Sequence, residues 1–148
     1  MSFAESPHLF DKCGPEYTKR LTSYFEYVRE NDLFLTHALI PPQSDRTKSS
    51  SKQEGEFLHM GVAEETNEGV IIRGARMLAT LAPVADELLV YSLPGLKPED
   101  VKHSIMFSIP VDSKGLKIIC RRPYSTGQHN IFDHPLAARY EESDAVVV

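Results

Sequence analysis

The stretch that decides the fold class is Val70-Ile71-Ile72-Arg73-Gly74-Ala75-Arg76-Met77-Leu78-Ala79-Thr80-Leu81-Ala82-Pro83. It opens with β-branched residues, enters a glycine, and continues through small and apolar residues with one hydroxyl, at Thr80. β-Branched runs bounded by turn residues are typical of strands, and glycine permits close approach of another backbone or a ligand. The stretch predicts a strand, a turn and a less regular buried segment. On composition alone its role is structural, with ligand binding as the alternative.

Short strand candidates flank this stretch on both sides, at residues 57–64, 69–73, 88–93, 104–111, 116–121 and 145–148. A turn at residues 112–115 predicts that the strands on either side of it pair as a hairpin. Residues 16–31 carry apolar side chains at i, i+4, i+7, i+8 and i+11, which predicts an amphipathic helix. Residues 123–135 are expected to form a loop. The predicted fold class is α+β, mainly β: a compact β-barrel or sandwich preceded by one amphipathic helix.

Composition limits the function classes. The 148 residues carry a net charge of −5, which argues against nucleic-acid binding. No apolar run approaches the ~20 residues of a membrane helix, and the N-terminus lacks a secretory signal, so we expect a cytoplasmic protein and no membrane partner. Cys13 and Cys120 lie far apart without metal-ligand spacing, which predicts reduced thiols and no metal site. The final valines predict a strand that is cut short or that pairs with a missing segment.

Residues 36–46 form the second notable segment, Thr36-His37-Ala38-Leu39-Ile40-Pro41-Pro42-Gln43-Ser44-Asp45-Arg46. A hydroxyl, an imidazole, an amide, a carboxylate and a guanidinium occur within one turn-rich stretch. Such a stretch can present donors to a planar polar ring or to a phosphate, although a solvated loop is the plain alternative. The remaining histidines show no metal-ligand spacing and are expected to be ordinary: His8, His59, His103, His129 and His134.

The two segments occur with further ordered motifs, among them Ala63-Glu64-Glu65-Thr66, Cys120-Arg121-Arg122-Pro123-Tyr124 and Asp133-His134-Pro135-Leu136. Together they resemble the 4-hydroxyphenylacetate 3-monooxygenase family of two-component flavin hydroxylases, which also contains 4-hydroxybutyryl-CoA dehydratase. The resemblance implies an architecture similar to acyl-CoA dehydrogenases. Residues 1–35 would end the N-terminal helical domain and residues 36–148 would form a truncated middle β-barrel domain, with the C-terminal helical bundle absent.

The resemblance also implies an enzymatic activity, that of an FAD-dependent aromatic monooxygenase. Reduced FAD arrives from a separate flavin reductase and reacts with O2 to a flavin C4a-hydroperoxide. This species hydroxylates a phenol such as 4-hydroxyphenylacetate ortho to its hydroxyl, and full-length relatives form homotetramers. The short chain itself is expected to be inactive. The alternatives are a truncated non-catalytic flavin-binding or interaction module and a fragment of a dehydratase-like enzyme.

Site residues follow from the same resemblance. His37 is the expected catalytic residue because it matches a position that contacts both phenol and flavin. The expected cofactor-binding residues are His37, Ala38, Leu39, Ile40, Gln43, Ser44, Asp45, Arg46 and Thr80. The expected substrate-binding residues are His37, Ser92 and Leu93.

Overall fold

The structure, a computed structural model, describes residues 2–124 and 132–148 and divides into two units, Met1–Phe34 and Leu35–Val148. The first unit contains helix α1 (Ser2–Glu5), a 3-10 helix (Pro7–Cys13) and helix α2 (Pro15–Glu30). Pro15 begins α2 at a position where its missing N–H costs nothing. Helix α2 confirms the predicted amphipathic helix. No helix in the described part of the chain is long and apolar enough to cross a membrane.

The second unit is built from short strands. They are β1 (Leu35–Ala38), β2 (Gly61–Thr66), β3 (Gly69–Arg73), β4 (Glu87–Tyr91), β5 (Met106–Pro110), β6 (Ile118–Cys120) and β7 (Ala145–Val147). Three 3-10 helices (Ser50–Lys52, Ala82–Val84 and Pro98–His103) and helix α3 (Ala137–Tyr140) connect them. The fold is therefore mixed helix and sheet, with strands predominating in this unit. Residues 125–131, which include His129 and most of the predicted 123–135 loop, lie outside the described residues.

The main sheet has the strand order β1-β4-β5. β1 runs parallel to β4 with His37 opposite Leu89, and β4 runs antiparallel to β5 with Leu89 opposite Ser108. Side chains alternate between the faces of a strand, and Leu88 and Val90 are fully buried on one face. His37, Leu89 and Ser108 therefore share the opposite face.

The prediction of a β-barrel is wrong for the described residues. Their strands form separate sheets of three, two and two strands, and none of these sheets closes on itself. β2 and β3 make an antiparallel hairpin, and β6 pairs with β7. The four or fewer residues of β1, β6 and β7 are too few to continue a sheet around a closed barrel.

The predicted hairpin between residues 104–111 and 116–121 is also wrong. Ile119 pairs with Val146 of β7 instead of a residue of β5. Two consecutive turns separate β5 from β6, closed by Ser113 N to Pro110 O at 3.1 Å and Leu116 N to Ser113 O at 3.1 Å. Two turns in succession lead the chain away from β5, whereas a two-residue hairpin loop would return it. The strand predicted at 57–64 begins later, at Gly61.

The core explains why Ala79 and Ala82 are small and apolar. Its buried members are Ala38, Met60, Ala79, Ala82, Leu88, Val90, Ala145 and Val147. Arg76 N donates to Val147 O at 2.9 Å and Ala79 N donates to Ala145 O at 3.0 Å, so the segment is held against β7 without forming a regular strand. β7 thus finds partners on both edges within this chain, β6 and Arg76.

Candidate functional site

The two segments singled out from the sequence lie side by side. Thr36 Oγ1 donates to the carbonyl oxygen of Thr80 at 2.5 Å, and Met77 N donates to Ile40 O at 2.8 Å. These two hydrogen bonds join residues 36–40 to residues 77–80 along one surface. The expected cofactor-binding residues of β1 and Thr80 are therefore neighbours although about 40 positions separate them in the chain.

His37 lies on the outer face of the main sheet. Its neighbours Thr36 and Ala38 are buried, whereas His37 is exposed. Ala38 is fully buried in the core, so its side chain is not available to a ligand. The alternation of β1 thus presents the expected catalytic imidazole outward and uses its neighbours to anchor the strand.

A cavity of about 450 Å³ lies at the end of β4. Tyr91 and Met106, which are paired across β4 and β5, line this cavity, as do Ser92 and Leu93. Tyr91 occupies the position two residues after Leu89, the residue opposite His37, so its side chain shares the face that presents His37. The cavity wall therefore shares Tyr91 with the face that presents His37, whereas the hydroxyl of Ser92 is turned toward the buried Arg76.

The hydroxyl of Ser92 is already engaged within the protein. It donates to the carbonyl oxygen of His103 at 2.5 Å and accepts from Arg76 Nη2 at 3.2 Å. Arg76 is buried, burial lowers its pKa, and its Nε has no partner in the described structure. Ser92 thus connects a buried cation to the cavity wall, and its hydroxyl hydrogen is committed to a main-chain acceptor.

A second cavity, of about 430 Å³, is formed by residues 41–53, which we call the cavity loop, and by residues of the 95–100 segment. The loop residues expected to bind the cofactor all line it: Gln43, Ser44, Asp45 and Arg46. The two cavities share Gly95 and Leu96 in their walls. The expected site residues therefore divide between two adjoining cavities and the sheet face.

Charges in the cavity loop are only partly neutralised. Asp45 accepts hydrogen bonds from the hydroxyl of Thr47 at 2.6 Å and from its N–H at 2.9 Å, and these bonds lower the pKa of Asp45. Lys48 Nζ also lies 3.3 Å from Asp45 Oδ2. Arg46 is exposed and makes no ion pair within the described ranges. It is the cation of this loop that remains available to an anionic ligand.

Thr80 is held in a defined orientation. Its hydroxyl donates to Asp144 Oδ1 at 2.7 Å, and its carbonyl accepts from Thr36. The oxygen lone pairs of the hydroxyl remain as acceptors. Thr80 therefore suits a ligand edge that carries an N–H or O–H donor.

Two buried residues that line the 430 Å³ cavity were missed as functional candidates. His59 was expected to be an ordinary histidine, yet its ring hydrogen-bonds the cavity loop at Pro42 and Ser50. Asp100 was not singled out, and it accepts from the backbone of Ser51. His59 lies 17 positions from Pro42 and Asp100 lies 49 positions from Ser51, and no spacing or motif marks these contacts.

The comparisons with known proteins bear on this geometry. The sequence profile of the family described as 4-hydroxyphenylacetate 3-hydroxylase N terminal matches residues 1–148. The chain belongs to this family. Within the hydroxylase family it is 36% identical over 148 residues to the 4-hydroxyphenylacetate 3-monooxygenase oxygenase component of Thermus thermophilus, covering 100% of this chain and 30% of that protein. It is 31% identical over 141 residues to a 4-nitrophenol 2-monooxygenase oxygenase component of Rhodococcus, covering 93% of this chain and 26% of that protein.

Solved structures of the hydroxylase family are similar in fold to this chain. The oxygenase component HpaB of 4-hydroxyphenylacetate 3-monooxygenase, complexed with FAD, matches with a TM-score of 0.82 and 37% identity over 99% of this chain and 29% of that chain. A complex of HpaB with FAD and 4-hydroxyphenylacetate matches with a TM-score of 0.81 and 36% identity, over 99% of this chain and 29% of that one. The chain thus spans about 30% of the length of the relatives it matches. An archaeal 4-hydroxybutyryl-CoA dehydratase from N. maritimus, 24% identical with a TM-score of 0.84 over 99% of this chain and 30% of that one, shares the fold.

Proposed function

We propose that this chain supplies one wall of the active site in an FAD-dependent oxygenase that hydroxylates a phenol, such as 4-hydroxyphenylacetate, ortho to its hydroxyl. The observation that carries the proposal is the junction of residues 36–40 with residues 77–80, next to a cavity lined by Gln43 to Arg46. In HpaB, a relative that matches 99% of this chain, crystals contain both FAD and 4-hydroxyphenylacetate.

The donor set of this surface fits FAD. Arg46 offers an exposed guanidinium without an ion pair in the described structure, which suits a phosphate group. Thr80 offers oxygen lone pairs to an N–H at the flavin edge because its own hydrogen is donated to Asp144. Gln43 and Ser44 add neutral side chains that both donate and accept hydrogen bonds, on the wall of the same cavity. The partly buried side chains of Leu39 and Ile40 are the proposed apolar support beside them.

When bound in reduced form, FAD would supply the activation of O2 and the oxygen atom that is transferred. His37 would accept a hydrogen bond from the phenolic hydroxyl. Phenols ionise only near about pH 10, so at neutral pH this hydrogen bond raises electron density on the ring without complete proton removal. Tyr91 and Leu93 line the cavity that would take the ring, and their apolar surface would exclude water from the reacting atoms.

The remaining parts of the proposal concern the whole protein. Residues 1–35 would end an N-terminal helical domain and residues 36–148 would form the middle β domain, with further walls of the site supplied by a C-terminal helical bundle. The partners would be O2, a separate flavin reductase that delivers reduced FAD, and three further copies in a tetramer. Residues 1–148 alone are expected to bind FAD weakly and to form no catechol because one wall leaves the flavin open to water.

The test is catechol formation by the protein at the full length of its coding sequence, supplied with a flavin reductase, FAD, NADH, O2 and 4-hydroxyphenylacetate. We expect a catechol product, and we expect His37→Gln to lower kcat/KM by roughly 100-fold because an acid–base contact is lost. His8→Gln, at an exposed position of the first unit, is the matched control and should leave the rate unchanged. Absence of catechol from the wild-type protein, or a His37→Gln rate equal to wild type, would refute the proposal.

A further inference from the structure

The cavity loop carries four residues proposed to bind FAD, yet it has little regular structure of its own. Within residues 41–53 the only element is the short 3-10 helix Ser50–Lys52. Loop backbones without ladder hydrogen bonds depend on side chains to fix their shape. The residues that hold this loop therefore bear on how well Gln43 to Arg46 are placed for a ligand.

His59 joins both ends of the cavity loop through one ring. It is 7% exposed, its Nε2 lies 3.0 Å from Pro42 O, and its Nδ1 lies 3.0 Å from Ser50 Oγ. A carbonyl only accepts, so Nε2 carries the hydrogen and the neutral ring accepts at Nδ1 from the serine hydroxyl. Burial lowers the pKa of His59, which favours this neutral form.

Asp100 fixes the far end of the same loop. It is 2% exposed, its Oδ1 accepts from Ser51 N at 2.8 Å, and its Oδ2 accepts from Lys97 N at 3.0 Å. Burial alone would raise the pKa of Asp100, but the backbone hydrogen bonds from Lys97 and Ser51 outweigh it and lower the pKa to about 2. The carboxylate thus ties the cavity loop to the segment that forms the opposite wall of the cavity, where Gly95 and Leu96 lie.

Gln53 completes the internal bracing of the loop. Its Nε2 donates to Asp45 O at 2.8 Å and to Lys48 O at 3.1 Å, while its Oε1 accepts from Ser44 Oγ at 2.7 Å. These bonds act within the loop, whereas His59 and Asp100 connect the loop to the rest of the unit. Removing either of these two would attach the loop less firmly to the unit, so that its backbone would open to solvent more often.

We propose that His59 and Asp100 are positioning residues that hold the cavity loop in the shape that receives the cofactor. The inference rests on the proposed function, because it assigns the loop to FAD. Both residues act through the loop: His59 through Pro42 and Ser50, Asp100 through Ser51. A loop that is ordered before the ligand arrives binds it more tightly, because little conformational entropy is then lost on binding.

The test uses variants of the protein at the full length of its coding sequence. His59→Phe keeps a planar ring but removes both hydrogen bonds, whereas His59→Gln keeps a donor to Pro42. Asp100→Asn keeps one acceptor but turns an amide N–H₂ toward a backbone N–H. Ser50→Ala removes only the hydroxyl that bonds His59 Nδ1, leaving the bond to Pro42, and serves as a milder variant should His59→Phe fail to fold. His8→Phe is the control at an exposed histidine.

Two quantities are measured: amide hydrogen exchange at residues 43–48 without FAD, and the dissociation constant of FAD from flavin fluorescence. We expect His59→Phe, which removes two hydrogen bonds to the loop, and Asp100→Asn, which opposes two N–H groups, to speed exchange in this segment and to weaken FAD binding by about tenfold. His59→Gln and Ser50→Ala, which each remove one of the two bonds of His59, should weaken FAD binding by about threefold, and His8→Phe should match wild type.

Unchanged exchange at residues 43–48 in His59→Phe and Asp100→Asn overturns the inference. Faster exchange with wild-type FAD affinity also overturns it, because the loop would then be held without consequence for the cofactor. If the wild-type protein binds no FAD, the proposed function fails and the positioning role falls with it. That failure is recognised in the wild type, whereas failure of the inference alone is recognised in the variants.

Discussion

Thr36 joins the two segments of the candidate site, and its replacement measures how much that junction stabilises the fold. The residue is 9% exposed, and its hydroxyl donates to the carbonyl of Thr80 at 2.5 Å. Thr36→Val keeps the shape of the side chain but removes this donor. A buried acceptor that loses its donor costs about 1–3 kcal/mol, so we expect a loss of about 2 kcal/mol in the free energy of unfolding.

Thr36→Ser provides the comparison that separates hydrogen bonding from packing. It keeps the hydroxyl and removes one methyl group, which costs about 0.8 kcal/mol when buried. Urea denaturation followed by circular dichroism measures both variants. With an m value of about 2 kcal/mol per molar urea, the midpoint should fall by about 1 M for Thr36→Val and by about 0.4 M for Thr36→Ser.

The rank order of the two variants decides the outcome. If Thr36→Ser destabilises more than Thr36→Val, packing of the methyl group outweighs the hydrogen bond, and the junction of the segments is not held as described. A change in m for either variant would show that the unfolding transition itself has altered, and the comparison would then be made by hydrogen exchange at Thr80 and Leu81.

Two further predictions concern the same unit. Gly74 has φ of 111°, and a Cβ there would lie 2.7 Å from His59 O and Met60 Cα, so Gly74→Ala should cost at least about 3 kcal/mol in urea denaturation. Gly55→Ala, with φ of 97° and nothing within 4 Å, carries the backbone strain alone and should cost about half as much; equal losses would argue against the clash. Burial lowers the pKa of His59 below 6.5, so as the pH falls the unfolded chain binds a proton at this histidine before the folded chain does. Proton binding to the unfolded chain favours unfolding, so the free energy of unfolding decreases as the pH falls from 6.5 through the folded-state pKa. His59→Gln should therefore lose less stability than wild type between about pH 7.5 and about pH 5.5, and equal losses in wild type, His59→Gln and the control His8→Gln would contradict this.

Helix α2 could be predicted because its sequence carries two independent signals. Its apolar residues recur at the helical period, and Pro15 stands at the first helical position. The strand β4 could be predicted because, after Glu87, it is a run of apolar residues from Leu88 to Tyr91, which is typical of a strand covered on both sides. Local pattern and tertiary environment agree in both elements.

Strand β1 could not be predicted from its own residues. Thr36 and Ala38 face the core while Leu35 is only partly buried, so polarity and burial do not correspond along the strand. Its partner β4 is parallel and follows the whole β2–β3 hairpin, and such pairing leaves no local signal. The pairing of β6 with β7 escaped prediction for the same reason, since a turn next to β6 favoured its nearer neighbour.

The candidate site divides in a similar way. Gln43 to Arg46 are expected at a cofactor surface because they match cofactor-binding positions of the family that the sequence resembles. In the structure they line one cavity. His59 and Asp100 were not expected there because their contacts with the loop depend on the folded arrangement of distant segments. Residues within a motif could therefore be predicted, whereas residues of other segments that hold the cavity loop could not.

Residues 36–46 and 73–83, as proposed, form one wall of a flavin site. Anaerobic titration of the protein, at the full length of its coding sequence, with reduced FAD tests this claim most directly. Wild type should bind saturably, Arg46→Gln should bind at least about tenfold more weakly because a charge-assisted contact with phosphate is lost, and Arg29→Gln, at an exposed arginine paired with Glu30, should match wild type. Absence of saturable binding, or equal affinity of wild type and Arg46→Gln, would contradict the claim.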